Sequence, residues 1–140
     1  MTSMNLSLSH CFLLVDDQDE ALGFYRDVLG LEVKADVMFG EHRWLSVGSP
    51  TQPGVEIVLE TPEMRMGLGV EANTIKELMA KGAFTGVIFV TEDCNATFEK
   101  LRAAGAEVTQ EPIDQPYGVR DCAFRDPSGN MIRFSEWPKA

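Results

Sequence analysis

The sequence of 140 residues lacks most of the signals that would assign a chemistry directly. It has two histidines, His10 and His42, and three cysteines with no CxxC pair. Disulfide frameworks and zinc knuckles need paired cysteines, so neither is expected, and the three thiols are predicted to be reduced. A catalytic triad would have to use one of the two histidines, and neither has a recognisable serine or cysteine partner in the sequence.

Other familiar signatures are also missing. There is no GxGxxG or Walker loop, and Ser128 lies in a turn without the GxSxG pattern of a nucleophile elbow. No apolar run reaches the length of a membrane span. The first residues carry neither a basic n-region nor an apolar h-region, so no signal peptide is expected and a cytoplasmic location is predicted.

Positive charge is scarce, since 12 Lys and Arg face 22 Asp and Glu for a net charge of −10. Phosphate binding needs clustered cations, so nucleic acid and anionic membranes are not expected as partners. The apolar fraction of 44% is ordinary for a soluble globular protein. The length suits a single domain with a real core, which we predict to span residues 1–140.

A strand-and-helix pattern occupies the first half of the chain. Residues 8–15 alternate as a strand that is apolar on both faces. Asp16 and Asp17 then offer N-cap chemistry for a helix that should run to about Leu29, with Gly30 as its stop. Three further strands are predicted, at about residues 31–37, 42–47 and 55–60.

The same order returns in the second half, from Thr85 onward. A strand at 84–90 and a helix stopped by Gly105 precede strands at about 106–109, 120–124 and 131–136. The halves match at an offset of 75, through the pairs Val15/Val90, Ala21/Ala96, Gly30/Gly105, Glu32/Glu107 and Val33/Val108. We therefore predict an α+β fold of two βαβββ modules, about 8–60 and 84–136, each a curved sheet around a cavity with its helix outside.

The connector, residues 61–82, should contain a short helix at 72–81. Met64 and Met66 stand near glycines, and methionine is an adaptable contact residue. They could form a lid over a pocket, or the segment could be an ordinary linker.

Two stretches carry a family resemblance. The first stretch is His10-x-x-x-x-Val15-x-Asp17 with Ala21-x-x-Phe24-Tyr25-x-x-Val28-Leu29-Gly30-Leu31. The second is Phe124-Arg125-Asp126-Pro127-Ser128-Gly129-Asn130, which precedes a strand. Both stretches resemble the vicinal oxygen chelate superfamily. That superfamily includes glyoxalase I, extradiol dioxygenases, fosfomycin-modifying enzymes and bleomycin-sequestering proteins. The resemblance covers about residues 8–136 and implies the fold, while one fold hosts many reactions.

In the metal-dependent members, the first and last strands of each module supply the ligands. Carried over, the four positions fall on His10, Glu60, Thr85 and Arg133. His10 and Glu60 fit, and Glu60 would also move protons as the catalytic carboxylate. Thr85 is a weak neutral ligand and Arg133 has no lone pair, so the resemblance implies a degraded site. His42 could substitute, and a bound ion would be Fe, Mn, Ni or Zn.

Arg133 has two further interpretations. It could pair with Glu60 or Glu56 in one cavity, or it could hold a carboxylate or phosphate of a ligand. The other cavity candidates are apolar or aromatic, with few polar groups among them, as in many small-molecule sites. These candidates are Phe12, Leu14, Trp44, Val58, Val87, Phe89 and Tyr117, the last on a Pro-Gly loop.

Three functions follow from these expectations. The first is a metal-free protein that binds an aromatic or amphipathic small molecule, as bleomycin-resistance-type proteins do. The second is a divalent-metal-dependent lyase or dioxygenase, in which the metal acts as a Lewis acid on vicinal oxygens of the substrate. The third is a structural or regulatory member with no ligand. The resemblance also implies a homodimer, with each cavity built from modules of one chain or of two.

Overall fold

The computed structural model describes residues 4–68 and 71–139 and shows the two predicted sheets. The chain divides into two compact units, Met1–Met64 and Arg65–Ala140, so most of the connector, residues 65–82, belongs to the second unit. The single-domain organisation of residues 1–140 stays a prediction. No helix among the described residues is long and apolar enough to cross a membrane.

The first unit contains one helix and a four-stranded sheet, sheet one. Strand β1 is His10–Leu14, and helix α1 is Gln18–Leu22, continued by a π-helical turn at Gly23–Val28. The other strands are β2 (Glu32–Phe39), β3 (His42–Gly48) and β4 (Glu56–Glu60). The strand order is β1-β4-β3-β2, with β1 parallel to β4 and the other pairs antiparallel.

The second unit begins within the connector and contains sheet two. A 3-10 helix at Pro62–Leu68 precedes α2, Ala72–Ala80. Strand β5 (Thr85–Val90) and helix α3 (Cys94–Ala103) are followed by β6 (Glu107–Asp114), β7 (Arg120–Arg125) and β8 (Met131–Glu136). The order β5-β8-β7-β6 repeats that of sheet one. Of the expected methionine lid, Met64 is half-buried and the side chain of Met66 lies outside the described residues.

The helix start predicted at Asp16 and Asp17 and the stops predicted at Gly30 and Gly105 are confirmed, and the second helix is capped in the same way. The carboxylates of Asp17 and Asp93 each accept a hydrogen bond at 2.9 Å from a backbone N–H in the first turn of α1 and α3, respectively. Beyond the helix ends, Gly30 and Gly105 adopt φ of 81° and 87°, the left-handed conformation that glycine enters without steric cost.

The core lies on one face of each sheet. Helix α1 packs against β4, and α3 packs against β6, β7 and β8. The helix-covered residues of sheet one are almost fully buried, among them Leu13, Val15, Leu45, Val47 and Leu59. Because side chains alternate along a strand, the residues between them point to the opposite face, away from the helix, which we call the open face of each sheet.

The repeat is real, but its offset is not constant. His10 lies opposite Glu56, and Thr85 lies opposite Met131, which gives an offset of 75 on the first strand. At the helix N-caps, Asp17 and Asp93, the offset is 76, and at Gly30 and Gly105 it is 75 again. Module two must therefore have one residue more than module one within β5. Module one must in turn have one residue more than module two within its helix.

Both insertions are visible. The register of β5 shifts between Thr85 and Ile88, as a β-bulge requires. In module one, the π-helical turn at Gly23–Val28 accommodates the other extra residue, since π-turns arise from single insertions into α-helices. Val15 corresponds to Thr91, because their N–H groups bond the equivalent carbonyls of Glu60 and Ser135. The Val15/Val90 and Ala21/Ala96 identities are therefore coincidental.

Candidate functional site

Three rings form an aromatic cluster on the open face of sheet one. The ring of Trp44 lies 6.0 Å from that of Phe12, edge to face, and 6.3 Å from that of His10. These are favourable separations for aromatic pairs. Val58, opposite Phe12 in the sheet, is fully buried, while Phe12 keeps half of its surface exposed. The cluster of His10, Phe12 and Trp44 therefore presents a solvent-facing aromatic surface on a rigid sheet.

A carboxylate stands beside this cluster, and it belongs to Glu56. Oε1 of Glu56 accepts a 2.6 Å hydrogen bond from the hydroxyl of Ser46, and Oε2 lies 3.6 Å from Nε2 of His10. On its other side, Nδ1 of His10 lies 2.9 Å from the hydroxyl oxygen of Ser9. The side chains of His10 and Glu56 are 38% and 29% exposed, so a ligand can reach both.

The expectation that Glu60 adjoins His10 is wrong. Glu60 lies opposite Leu14, at the other end of both strands, and is buried. At about 3.3 Å per residue it is roughly 13 Å along β4 from Glu56. The cause is the parallel pairing of β1 and β4, which sets the first residue of one strand beside the first residue of the other.

His42 cannot serve as a further metal ligand beside His10, in place of Thr85 or Arg133. It begins β3, opposite Phe39, whereas Ser46, the residue of β3 that touches Glu56, comes four residues later. The antiparallel course of β3 and β4 places His42 at the end of sheet one away from His10. A site of His10, His42 and Glu60 is therefore ruled out by the register.

The donors present do not fit a catalytic divalent ion within either described module. Sheet one brings together one imidazole and one carboxylate, where a protein-held catalytic metal usually has three protein ligands. In module two, Met131 occupies the position of Glu56, and the side chain of Thr85 lies outside the described residues. Across residues 4–68 and 71–139, no three His, Cys, Asp or Glu side chains are grouped to hold a metal.

Arg133 faces the open side of sheet two and pairs there with Asp121, not with Glu60 or Glu56 as the sequence suggested. Its Nη1 donates to Oε1 of Gln110 at 2.8 Å and lies 3.4 Å from Oδ1 of Asp121. Asp121 is almost fully buried, and its Oδ1 also accepts from the amides of Gln110 at 2.7 Å and Gln115 at 2.9 Å. The neighbouring strand β7 thus supplies the carboxylate.

The expectation that Phe89 lines a cavity is also corrected. Its ring stacks on Phe134 at 5.8 Å, and Phe134 packs in turn on Phe124 in the core beneath α3. The extra residue in β5 causes this exchange, because it turns Ile88 and Val90 to the open face in place of Phe89. Ile88 and Val90 are 67% and 70% exposed.

Two further candidates for ligand binding are Leu14 and Tyr117. Leu14 is half-buried at the end of β1, on the same face as Phe12. Tyr117 is 71% exposed in the turn between β6 and β7, where Gly118 has φ of 93°. Val87 lies within the β5 bulge, where the register is irregular.

The cysteines do not form a nucleophilic site. Cys94 and Cys122 are fully buried, and burial is the main cause that raises the pKa of Cys122 to about 12. Burial also raises the pKa of Cys94 and of Cys11. A thiol with a raised pKa stays protonated near neutral pH, and the protonated form is not the nucleophile.

The second unit has a cleft of about 420 Å³ that the sequence did not reveal. It lies between the end of α2, at Met79–Gly82, and the turn at Asp126–Gly129. Arg125 borders it, with Nε 3.2 Å from Glu107 and Nη1 donating to the carbonyl of Gly129 at 2.9 Å. The Asp-Pro-Ser-Gly turn was recognised as a turn, but its closeness to α2 depends on tertiary packing.

Comparison with known proteins gives a family match over nearly the whole chain. The family model described as "Glyoxalase/Bleomycin resistance protein/Dioxygenase superfamily" matches residues 7–134. Among relatives, protein YurT of Bacillus subtilis is 32% identical over 122 residues, covering 86% of this chain and 91% of YurT. A probable lactoylglutathione lyase of Synechocystis is 30% identical over 128 residues, covering 89% and 91%.

Solved structures agree with the fold. UcmS2 superposes with a TM-score of 0.83 at 36% identity, covering 95% of this chain and 99% of UcmS2. TnmS3, described as an antibiotic binding protein from Streptomyces sp. CB03234, has a TM-score of 0.75 at 28% identity, covering 97% and 100%.

Proposed function

The chain belongs to the Glyoxalase/Bleomycin resistance protein/Dioxygenase superfamily, and on that premise we propose that it binds a planar aromatic small molecule without a catalytic metal. The observation that carries this proposal is the aromatic cluster on the open face of sheet one. Trp44 and Phe12 offer ring surfaces 6.0 Å apart above the buried Val58, beside the half-exposed carboxylate of Glu56. TnmS3, a structural relative described as an antibiotic binding protein, supports the binding of a small molecule by this fold.

The energetic case rests on stacking and on one oriented polar group. Aromatic pairs contribute about 0.5–1.5 kcal/mol each beyond the area they bury. Covering the exposed half of Phe12 adds a hydrophobic contribution in proportion to the area removed from water. Ser46 holds one oxygen of Glu56, which leaves the carboxylate oriented to accept a hydrogen bond from the ligand. An apolar surface with one placed polar group is the usual composition of small-molecule sites.

The proposal of a metal-free site follows from donor chemistry. The register sets Glu56 opposite His10 in module one and Met131 opposite Thr85 in module two. A neutral hydroxyl and a thioether are poor ligands for the divalent ions that chelate vicinal oxygens, which favour imidazole and carboxylate. We therefore assign Glu56 and His10 to ligand binding.

Substitution of Trp44 tests the site. Proflavine and bleomycin, titrated into chelator-treated protein and followed by fluorescence anisotropy or calorimetry, serve as aromatic probes. We expect micromolar binding of at least one probe, weakened about 10-fold (~1.4 kcal/mol) by Trp44→Ala. The matched control is Trp137→Ala, because Trp137 is 59% exposed beyond the end of β8. Equal binding by Trp44→Ala, or none by the wild type, would sink the proposal.

A second candidate function is a metal-dependent lyase. The proximity of His10 and Glu56 favours it, as does the 30% identity to a probable lactoylglutathione lyase. In that case Glu56, not Glu60, would be the carboxylate beside His10. Stoichiometric Fe, Mn, Ni or Zn, lost in His10→Ala, together with turnover of the methylglyoxal–glutathione hemithioacetal, would establish the lyase.

We also propose a homodimer that works in the cytoplasm. Val37 and Phe39 are 48% and 67% exposed on β2, which offers an apolar surface to a second copy. Sedimentation should give twice the 15.5 kDa mass of one chain, and a single-chain mass at micromolar concentration would contradict the dimer.

The proposed cytoplasmic location rests on the three free cysteines, which suit a reducing compartment. Cell fractionation tests the location.

A further inference from the structure

Arg133 has an unusual position on the open face of sheet two. It lies on the central strand β8, opposite Ile88 on one side and Ala123 on the other. The equivalent residue of module one is Val58, which is buried beneath the aromatic cluster. A charged side chain therefore occupies a position that module one gives to a buried apolar residue, and this side chain is still 28% exposed.

One edge of this guanidinium is already held. Nη1 of Arg133 donates to Oε1 of Gln110 at 2.8 Å and lies 3.4 Å from Asp121. Asp121 does not depend on Arg133 for its hydrogen bonds, because Gln110 and Gln115 both donate to its Oδ1. The network fixes where the guanidinium points without using all of its N–H groups.

The other edge, formed by Nε and Nη2, meets no oxygen acceptor among the described residues. Its contact there is the sulfur of Met131, 3.7 Å from Nη2, and a thioether is a weak acceptor. Arg43 shows what the same edge does when a carboxylate is present. Its Nε and Nη2 donate to the two oxygens of Asp36 at 2.8 and 2.9 Å.

The surroundings of this edge suit an apolar molecule. Ile88 and Val90 project from β5 on the same face and are 67% and 70% exposed. Ala123, on the other side, is small. Charge-assisted bidentate pairs of arginine with carboxylate are strong and geometrically specific, and a half-buried guanidinium loses little freedom when it forms one.

We propose that the open face of sheet two is a carboxylate-binding site, in which Nε and Nη2 of Arg133 hold the carboxylate of an apolar molecule that rests on Ile88 and Val90. This inference rests on the proposed function of the chain as a small-molecule-binding protein, and it adds a second site, on sheet two, whose ligand carries a carboxylate. Gln110 and Asp121 act as positioning residues that orient the guanidinium.

The test uses 2-naphthoate, with 2-naphthamide as the uncharged isostere. Each is titrated into the ¹⁵N-labelled protein to about 10 mM, within which even weak millimolar binding saturates. The readouts are the amide signals of Ile88 and Ala123 and the Nε–H signal of Arg133. The variants are Arg133→Met and Arg133→Lys, since lysine keeps the charge but loses the fork. Arg120→Met is the matched control, because Arg120 has a 33% exposed side chain in the same sheet and already pairs with Asp114.

We expect saturable shifts with naphthoate in the wild type and in Arg120→Met, and affinity about 10-fold lower for both Arg133 variants and for naphthamide. Unchanged melting temperatures check that the variants fold. Naphthoate affinity that is the same in both Arg133 variants as in the wild type, or no binding to the wild type, would overturn the site. Trp44→Ala separates the two proposals: binding that needs Trp44 but not Arg133 supports only the aromatic site, and the reverse supports only the carboxylate site.

Discussion

Single residues on the two open faces decide what each module can hold. Val58 and Arg133 occupy equivalent places on central strands, yet one supports a surface of rings and the other presents a guanidinium. Glu56 and Met131 are equivalent in the same way, and only Glu56 offers a carboxylate. The two modules share their backbone plan, and these substitutions give their open faces different chemistries.

At the residue scale, Gly86 is predicted to be irreplaceable in β5. A Cβ there would lie 2.5 Å from Cδ1 of Ile132 and 2.7 Å from the carbonyl oxygen of Met131. The backbone cannot yield as a flexible side chain can, so Gly86→Ala should lower the free energy of unfolding by about 1–3 kcal/mol. Chemical denaturation measures this change.

The matched control is Gly23→Ala. A Cβ at Gly23 meets nothing within 4 Å, and the residue adopts helical φ and ψ of −56° and −35°. Alanine is favoured over glycine in a helix by about 0.5–1 kcal/mol, so this variant should be more stable than the wild type. If Gly86→Ala were as stable as Gly23→Ala, the close approach of β5 to β8 would be refuted.

At the element scale, the sequence predicted the helices and most strands because their signals are local. Apolar periodicity, the Asp17 and Asp93 caps and the two glycine stops each act within one turn. Strand β6 runs to Asp114, beyond the expected end at 109, since its second half is polar and contains Pro112. Proline is tolerated there because β6 is an edge strand.

The two inserted residues could not be predicted, because they cancel in the sequence offset. Each is visible only through its consequences: a register shift in β5 and a π-helical turn after α1. Because the two insertions cancel, Thr85 and Gly105 stay aligned with His10 and Gly30, and the extra residue in β5 is hidden. The sequence prediction therefore placed Phe89 on the wrong face of the sheet.

The π-helical turn gives a prediction about deletion. Removing Gly23 should convert the turn to regular α-helix, with both helix ends still in place, because the turn holds one residue more than α3 needs. We expect a folded protein with circular dichroism close to the wild type. The matched deletion of Lys100 from α3, which has no spare residue, should lose cooperative unfolding. Equal damage from both deletions would argue against a spare residue.

At the scale of the whole molecule, sequence motifs identified the family and the candidate rings, whereas the partners of each side chain needed the sheet register. Phe12, Trp44 and Val58 were expected among the ligand-binding residues; they share the open face of sheet one, and their role stays a prediction. The pairing of His10 with Glu56 follows from the parallel contact of β1 and β4, and the pairing of Arg133 with Asp121 from the contact of β7 and β8. Contacts between strands distant in the chain leave no mark in local periodicity.

The central claim is that this member of the superfamily binds an aromatic molecule without a metal. Calorimetric titration of proflavine or bleomycin, whichever binds, into protein dialysed against EDTA and into the same protein supplied with Ni²⁺ or Zn²⁺ tests it most directly. We expect dissociation constants that agree within about 2-fold, or ~0.4 kcal/mol, since the aromatic cluster and Glu56 need no ion to present their surface. Binding that appears only after metal is added would contradict the account.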